Sequence, residues 1–176
     1  MSFPTTPAFV HHGDWDETSA QHPGTKFMEE QTRSFDTRTW ETKRYASDFT
    51  YVAPDGQVYE GLDKAMEAVK ATYGPLTAQY HQPYFFVCTE IDDGYDMIGQ
   101  AMMYADLPGE PAAGESKVAS ADGRKWDLVI PGAFRFRCVK AGESYLLKRA
   151  EMHADTGPLV MRLLKRGVMS PKDLGL

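Results

Sequence analysis

Tyr80-His81-Gln82-Pro83-Tyr84-Phe85-Phe86-Val87-Cys88-Thr89, then Asp92-Asp93-Gly94, then Tyr95-Asp96-Met97-Ile98-Gly99-Gln100-Ala101-Met102-Met103-Tyr104-Ala105, read as a long strand, a hairpin turn and a second long strand. Aromatic and apolar residues fill both runs, and Gly94 supplies the backbone freedom the turn needs. Downstream, Trp126–Lys140 reads as a third long strand, bent at Pro131-Gly132. Ala141-Gly142-Glu143 turns it into a fourth, Ser144–Ala154, and Pro158–Arg166 is a short helix stopped by Gly167. Between the second and third strands, Leu107–Arg124 is rich in Gly, Pro, Ala and Ser and too long for a hairpin loop. It is either a lid at the rim or a surface insertion.

Upstream of Tyr80 the pattern is helical. His22-Pro23-Gly24-Thr25 opens a first helix, with Thr25 able to cap it and Met28, Gln31 or Thr32, and Phe35 along one face. A second helix is expected from Thr37 to Tyr45, anchored by Trp40 and Tyr45. Asp48–Val52 and Gln57–Tyr59 read as a short hairpin around Pro54-Asp55-Gly56, and Leu62–Tyr73 as a third helix stopped by Gly74-Pro75. The order gives an α+β fold: a curved, mixed, mostly antiparallel sheet wrapped around three helices. The expected organisation is an extended N-terminal arm over 1–21, one domain over 22–167 and a C-terminal tail over 168–176.

The bulk composition narrows the function. The chain has 176 residues, enough for one domain with a sizeable core, and 42% are hydrophobic. A net charge of −6 and the absence of a basic stripe argue against nucleic acid or an anionic membrane as partner. The longest basic run, Arg162-Leu163-Leu164-Lys165-Arg166, reads as a solvated helix end. Cys88 and Cys138 sit in apolar runs with no Cys-x-x-Cys spacing, so they are buried thiols or, less simply, a disulfide between neighbouring strands. His11 and His12 are adjacent and point to opposite sides in an extended segment, a poor basis for a shared metal. No leader-like segment or membrane span is evident, which places the chain in the cytoplasm.

Phe35-Asp36-Thr37-Arg38-Thr39-Trp40 carries the most specific chemistry, together with His81. A carboxylate that orients an imidazole makes a general base suited to neutral conditions. Read plainly, Asp36 is also a good N-cap for a helix starting at Thr37, and a lone strand-end histidine is often structural.

These residues, in this order of elements, resemble the nuclear-transport-factor-2-like superfamily, and within it the SnoaL-like and scytalone-dehydratase-like group. The aromatic, Asp, small hydroxyl, basic, any, Trp pattern of Phe35–Trp40 carries the resemblance. So do Asp48-Phe49-Thr50-Tyr51, Tyr59-Glu60-Gly61-Leu62-Asp63-Lys64-Ala65, and His81 ahead of Met97-Ile98-Gly99. The tail, His153-Ala154-Asp155-Thr156-Gly157-Pro158-Leu159, is similar to fungal tailoring proteins of polyketide and terpenoid clusters. The resemblance covers about residues 25 to 155, and it implies that the sheet and helices of the 22–167 domain form a cone-shaped α+β barrel. It implies a cofactor-independent isomerase, dehydratase or cyclase acting on a polycyclic polyketide or terpenoid intermediate, with Asp36 and His81 catalytic. It also implies a substrate-binding wall of Tyr45, Tyr51, Tyr104, Trp126, Phe134 and His153, a hydrophobic small-molecule substrate and a homodimer.

The chain departs from that pattern at three places. Asp106-Leu107 stands where a second pocket histidine is expected, Phe134 near an expected asparagine, and Ala53 or Pro54 where steroid isomerases carry an acid. A non-catalytic small-molecule-binding or dimerisation module of the same fold is therefore the alternative. His153 faces either the pocket or a subunit interface. Phe134 and Phe136 alternate with Arg135 and Arg137, so if the Phe pair lines the pocket the arginines point away.

Overall fold

The computed structural model describes residues 6–175; residues 1–5 of the expected arm and residue 176 of the tail lie outside the described residues. Seven strands form one mixed sheet. They are β1 (Ala8–His12), β2 (Tyr45–Val52), β3 (Val58–Glu60), β4 (Ala78–Ile91), β5 (Gly94–Asp106), β8 (Leu128–Ala141) and β9 (Ser144–Ala154). A short pair, β6 (Val118–Ala119) and β7 (Lys125–Trp126), makes a separate hairpin. The strand order is β1-β4-β5-β8-β9-β2-β3, with only β2 and β9 parallel. The sheet has two edges and does not close. Three α-helices accompany it: α1 (Pro23–Asp36), α2 (Leu62–Tyr73) and α3 (Gly157–Lys165).

The arm joins the sheet. Ala8–His12 pairs antiparallel with Thr89–Phe85 of β4, and the Gly13 N–H donates to the Tyr84 carbonyl. The first helix starts where the sequence places it, with a different cap. The His22 ring accepts the Thr25 N–H, while the Thr25 hydroxyl donates to the Ser19 carbonyl. Met28, Gln31 and Phe35 fall on the face turned to the sheet.

The expected helix over Thr37–Tyr45 does not form as an α-helix; a single 3-10 turn, Thr42–Arg44, is all that precedes β2. Asp36 is the last residue of α1 rather than the cap of a new helix. Arg38 (φ 58°) and Trp40 (φ 40°) take the left-handed conformation, and the Thr37 and Thr39 hydroxyls both bond the Ser34 carbonyl. Those local bonds compete with a continuing helix, and β2 begins at Tyr45.

Bulges set the faces of the long strands. In β4 the register slips between Pro83 and Phe85, so His81 and Pro83 face inward on one side of the slip and Phe86 and Cys88 on the other. Pro83, which has no N–H, sits at that slip. In β8 Phe134 and Phe136 turn inward, and Arg135 and Arg137 turn out to Asp96 and Asp93. Cys88 and Cys138 are free and buried on strands separated by β5, and burial pushes their thiols up to about 12 and about 11.

The basic run at the end of α3 is not a solvated end. The Arg166 side chain is 1% exposed and holds Glu115 at 2.6 Å and Asp127 at 3.0 Å. These ion pairs tie the 107–124 excursion to the residue that caps α3 and to Asp127, just ahead of β8. None of residues 107–124 lines the central cavity. Among the described residues no helix is long and apolar enough to cross a membrane.

Candidate active site

The concave face of the sheet, α1 and α2 enclose a partly open apolar cavity of about 150 Å³. His81 stands in its wall, placed by the inward alternation of β4. Asp36 reaches it from the end of α1. Its Oδ1 lies 2.6 Å from His81 Nδ1, and its Oδ2 accepts the His81 backbone N–H at 3.1 Å. Both side chains are mostly buried, Asp36 at 12% exposure and His81 at 15%.

A carboxylate at the C-terminal end of a helix faces the negative pole of the helix dipole. The two donors on His81 offset that. With Nδ1–H donated to Asp36, the ring keeps its Nε2 lone pair as an acceptor.

The turn after α1 is fixed from a distance. Arg38 donates to the Leu76 carbonyl at 2.5 Å and to the Tyr73 carbonyl at 3.4 Å, and its guanidinium lies 5.3 Å from the centre of the Trp40 ring. Gln79, two residues before His81, donates to the Phe35 carbonyl at 3.1 Å. α1 and β4 are thus cross-bonded beside the Asp36–His81 contact. The Phe35 and Tyr73 rings each centre 5.8 Å from the imidazole.

Of the residues expected to form the wall, Tyr45, Tyr51, Phe134 and His153 line the cavity. Burial raises the Tyr45 hydroxyl to about 12, moderated by the neighbouring Gln31 amide, and also raises Tyr51, which bonds Thr72 at 3.3 Å. His153 sits at the rim with its side chain 63% exposed, near Glu151. Tyr104 and Trp126 are not in the wall. Tyr104 alternates with inward Met103 and so faces the convex side, where it meets Tyr80. Trp126 belongs to the β6–β7 hairpin folded onto that same side. It is 1% exposed, donates to Ser120 at 2.9 Å and lies under Arg124. An aromatic that is buried in the sequence's apolar pattern can be buried on either side of a sheet, which is why both were misplaced.

Sequence reasoning missed Tyr73 as a wall residue, since it reads only as a helix anchor. Burial raises its hydroxyl far above the usual range, with Tyr51 and Asp36 adding to the shift. Trp15 was also missed. Gln31 carried a signal: it is a polar side chain in line with Met28 and Phe35 on the apolar stripe of α1. Among the described residues no group of three or more His, Cys, Asp or Glu has metal-holding geometry.

No protein-family model and no curated protein matches the chain. Solved structures do. Aln2 from a Streptomyces species is 18% identical with a TM-score of 0.55, over 80% of this chain and 92% of that one. The hexachlorocyclohexane dehydrochlorinase LinA-type3 from Novosphingobium barchaimii is 10% identical with a TM-score of 0.56, over 78% and 88%. A protein from Novosphingobium aromaticivorans, provisionally named a scytalone dehydratase, is 10% identical with a TM-score of 0.54, over 73% and 79%. At these identities the likeness establishes the fold alone, an α+β architecture with a mixed, mostly antiparallel sheet.

Proposed function

We propose that this chain, built on the nuclear-transport-factor-2-like cone, is a cofactor-independent acid–base enzyme of the cytoplasm that isomerises, dehydrates or cyclises a polyketide or terpenoid intermediate. The observation that carries the reading is the 2.6 Å contact between Asp36 Oδ1 and His81 Nδ1 in the wall of an apolar cavity. Similarity to proteins named as a dehydrochlorinase and a dehydratase supports the reaction class.

His81 Nε2 takes a proton from the carbon beside a substrate carbonyl, and Asp36 holds the imidazolium that forms. The C–H electron pair moves into the carbonyl to give an enolate. Tyr45 and Tyr73, both in the cavity wall and kept protonated by burial, donate to that oxygen. Returning the proton at another carbon isomerises the substrate. Delivering it to a β-hydroxyl releases water and leaves a double bond. Attack of the enolate carbon on a second carbonyl closes a ring, and the proton passes to the new alkoxide. A void of about 150 Å³ is the size that holds one aromatic ring, so one ring of a larger skeleton sits beside His81.

Hydrogen–deuterium exchange at the α-carbon of 1-indanone, followed by NMR in D₂O, tests the proton transfer without the natural substrate. Wild type is expected to accelerate exchange, and Asp36→Asn and His81→Ala to lose about 10²–10⁴-fold of that acceleration with unchanged circular dichroism. Full exchange activity in both variants would end the proposal. The cavity wall offers no second imidazole deep inside, which favours the alternative of a binding or dimerisation module if indanone binds without exchange at any pH.

A further inference from the structure

Six buried side-chain polar atoms lack a hydrogen-bond partner among the described residues, and two of them belong to the cavity wall: Trp15 Nε1 and Gln31 Oε1. Leaving a buried donor or acceptor unsatisfied is costly, and an apolar side chain at either place would avoid it. Gln31 is 5% exposed on the apolar face of α1, between Met28 and Phe35, with its amide beside the Tyr45 hydroxyl.

Trp15 comes from the N-terminal arm and is held in place. Its backbone N–H donates to Asp14 Oδ1 at 2.7 Å, and Asp14 Oδ2 accepts the Tyr80 hydroxyl at 3.3 Å. His11 Nε2 lies 2.9 Å from the Asp14 carbonyl, and the indole packs on Phe86 with ring centres 4.9 Å apart. Burial raises the Asp14 carboxyl, opposed by the Trp15 N–H and the Tyr80 hydroxyl.

We infer that Trp15 and Gln31 are the substrate-selecting residues of the cavity: the indole N–H receives a ligand carbonyl and the Gln31 amide oxygen receives a ligand hydroxyl. The ligand class is then a hydroxylated cyclic ketone, not a bare hydrocarbon ring. This rests on the reading of the cavity as a substrate site, and it gives the N-terminal arm a part in recognition. An indole can only donate, so its partner is an acceptor; a carboxamide oxygen can only accept, so its partner carries a proton. A site built around such groups discriminates by leaving them unpaired when the wrong molecule enters.

Calorimetric titration of the full chain with indane, 1-indanone and the four ring-hydroxylated 1-indanones reads the two contacts separately. Wild type is expected to bind 1-indanone about tenfold tighter than indane, and at least one hydroxyindanone about tenfold tighter again. Trp15→Phe keeps an aromatic ring without the N–H and is expected to erase the ketone's advantage over indane. Gln31→Met keeps the chain length and is expected to erase the hydroxyl's advantage. Each variant is read by the ratio of its affinities between ligands, not by its indane affinity alone. Equal binding of all ligands by wild type, or a uniform loss across all of them in the variants, would overturn the assignment. The same titrations on Asp36→Asn separate this inference from the proton-transfer reading: an intact affinity ladder in that variant, with wild type failing to exchange, would leave selection standing and proton transfer refuted.

Discussion

Arg38 shows how a single side chain can hold the Asp36–His81 contact in place without touching it. It is left-handed at φ 58°, a conformation that costs a non-glycine residue about 1 kcal/mol or more, and its guanidinium satisfies two carbonyls at the end of α2. Charge-assisted hydrogen bonds of this kind are each worth about 1.5–3 kcal/mol, so the anchor outweighs the strain. Arg38→Met is expected to lower stability by roughly 2 kcal/mol in urea unfolding. Arg38→Gly loses the same anchor but relieves the left-handed strain, so it is expected to lie about 1 kcal/mol above the Met variant. The reverse order would show that the left-handed backbone at this position carries no strain worth relieving. At this scale the pairing of Asp36 with His81 was legible in the sequence, through the short pattern Phe35–Trp40 and a histidine opening a strand. Trp15 was not legible, because an arm with no periodicity gives no face to assign.

Elements were read well where one rule decided them. Ser144–Ala154 and Leu62–Tyr73 have the bounds the turn and helix signals give. The expected helix over Thr37–Tyr45 failed because Thr37 and Thr39 offered their hydroxyls to a nearby carbonyl, a competition that apolar spacing does not register. Bulges were the other hidden feature: a one-residue slip in β4 changes which side chains face the cavity, and nothing in the alternation announces it.

Gly99 makes the inner packing of β4, β5 and β8 possible. A Cβ there would stand 2.5 Å from the Phe85 carbonyl oxygen and 2.7 Å from both the Phe134 ring and the Phe86 Cβ. The first neighbour is backbone and cannot swing away. Gly99→Ala is therefore expected to cost about 1–3 kcal/mol by thermal melting and to disturb the cavity wall through Phe134. A melting temperature equal to wild type would mean that β4 shifts freely against β5, contrary to the pairing described.

Over the whole molecule, the convex face and the ion-pair clamp divide the surface. Val10, Val87 and Ile98 lie in one row across β1, β4 and β5, with Val10 and Ile98 more than half exposed, and the row continues into Arg135 and its carboxylate partners. An apolar strip beside satisfied charges suits a two-fold contact with a second copy. Light scattering at micromolar concentration is expected to give twice the chain mass for wild type and a single chain mass for Ile98→Asp; a monomeric wild type would refute the homodimer.

The clamp works differently, because its charges are spent inside the chain. Burial alone would raise Asp127, but Arg166, the Leu107 N–H and Lys117 hold it well below the usual carboxylate range, and Arg166 also lowers Glu115. Folded-state values below the unfolded ones mean that these groups stabilise the fold fully above about pH 4, the unfolded carboxylate range, and lose that contribution as pH falls through the lower folded values. Wild type is therefore expected to keep its urea midpoint from neutral pH down to about pH 5 and to weaken below about pH 4. Arg166→Met leaves two carboxylates facing each other with Lys117 and Arg162 as the remaining cations. Its melting temperature at neutral pH is expected to fall by roughly 6–12 °C, and its acid sensitivity to flatten, since the carboxylates have lost the partner that kept them ionised. An unchanged melting temperature would mean that α3 and the 107–124 excursion are held by apolar packing alone, with Leu159 and Leu163 carrying the contact.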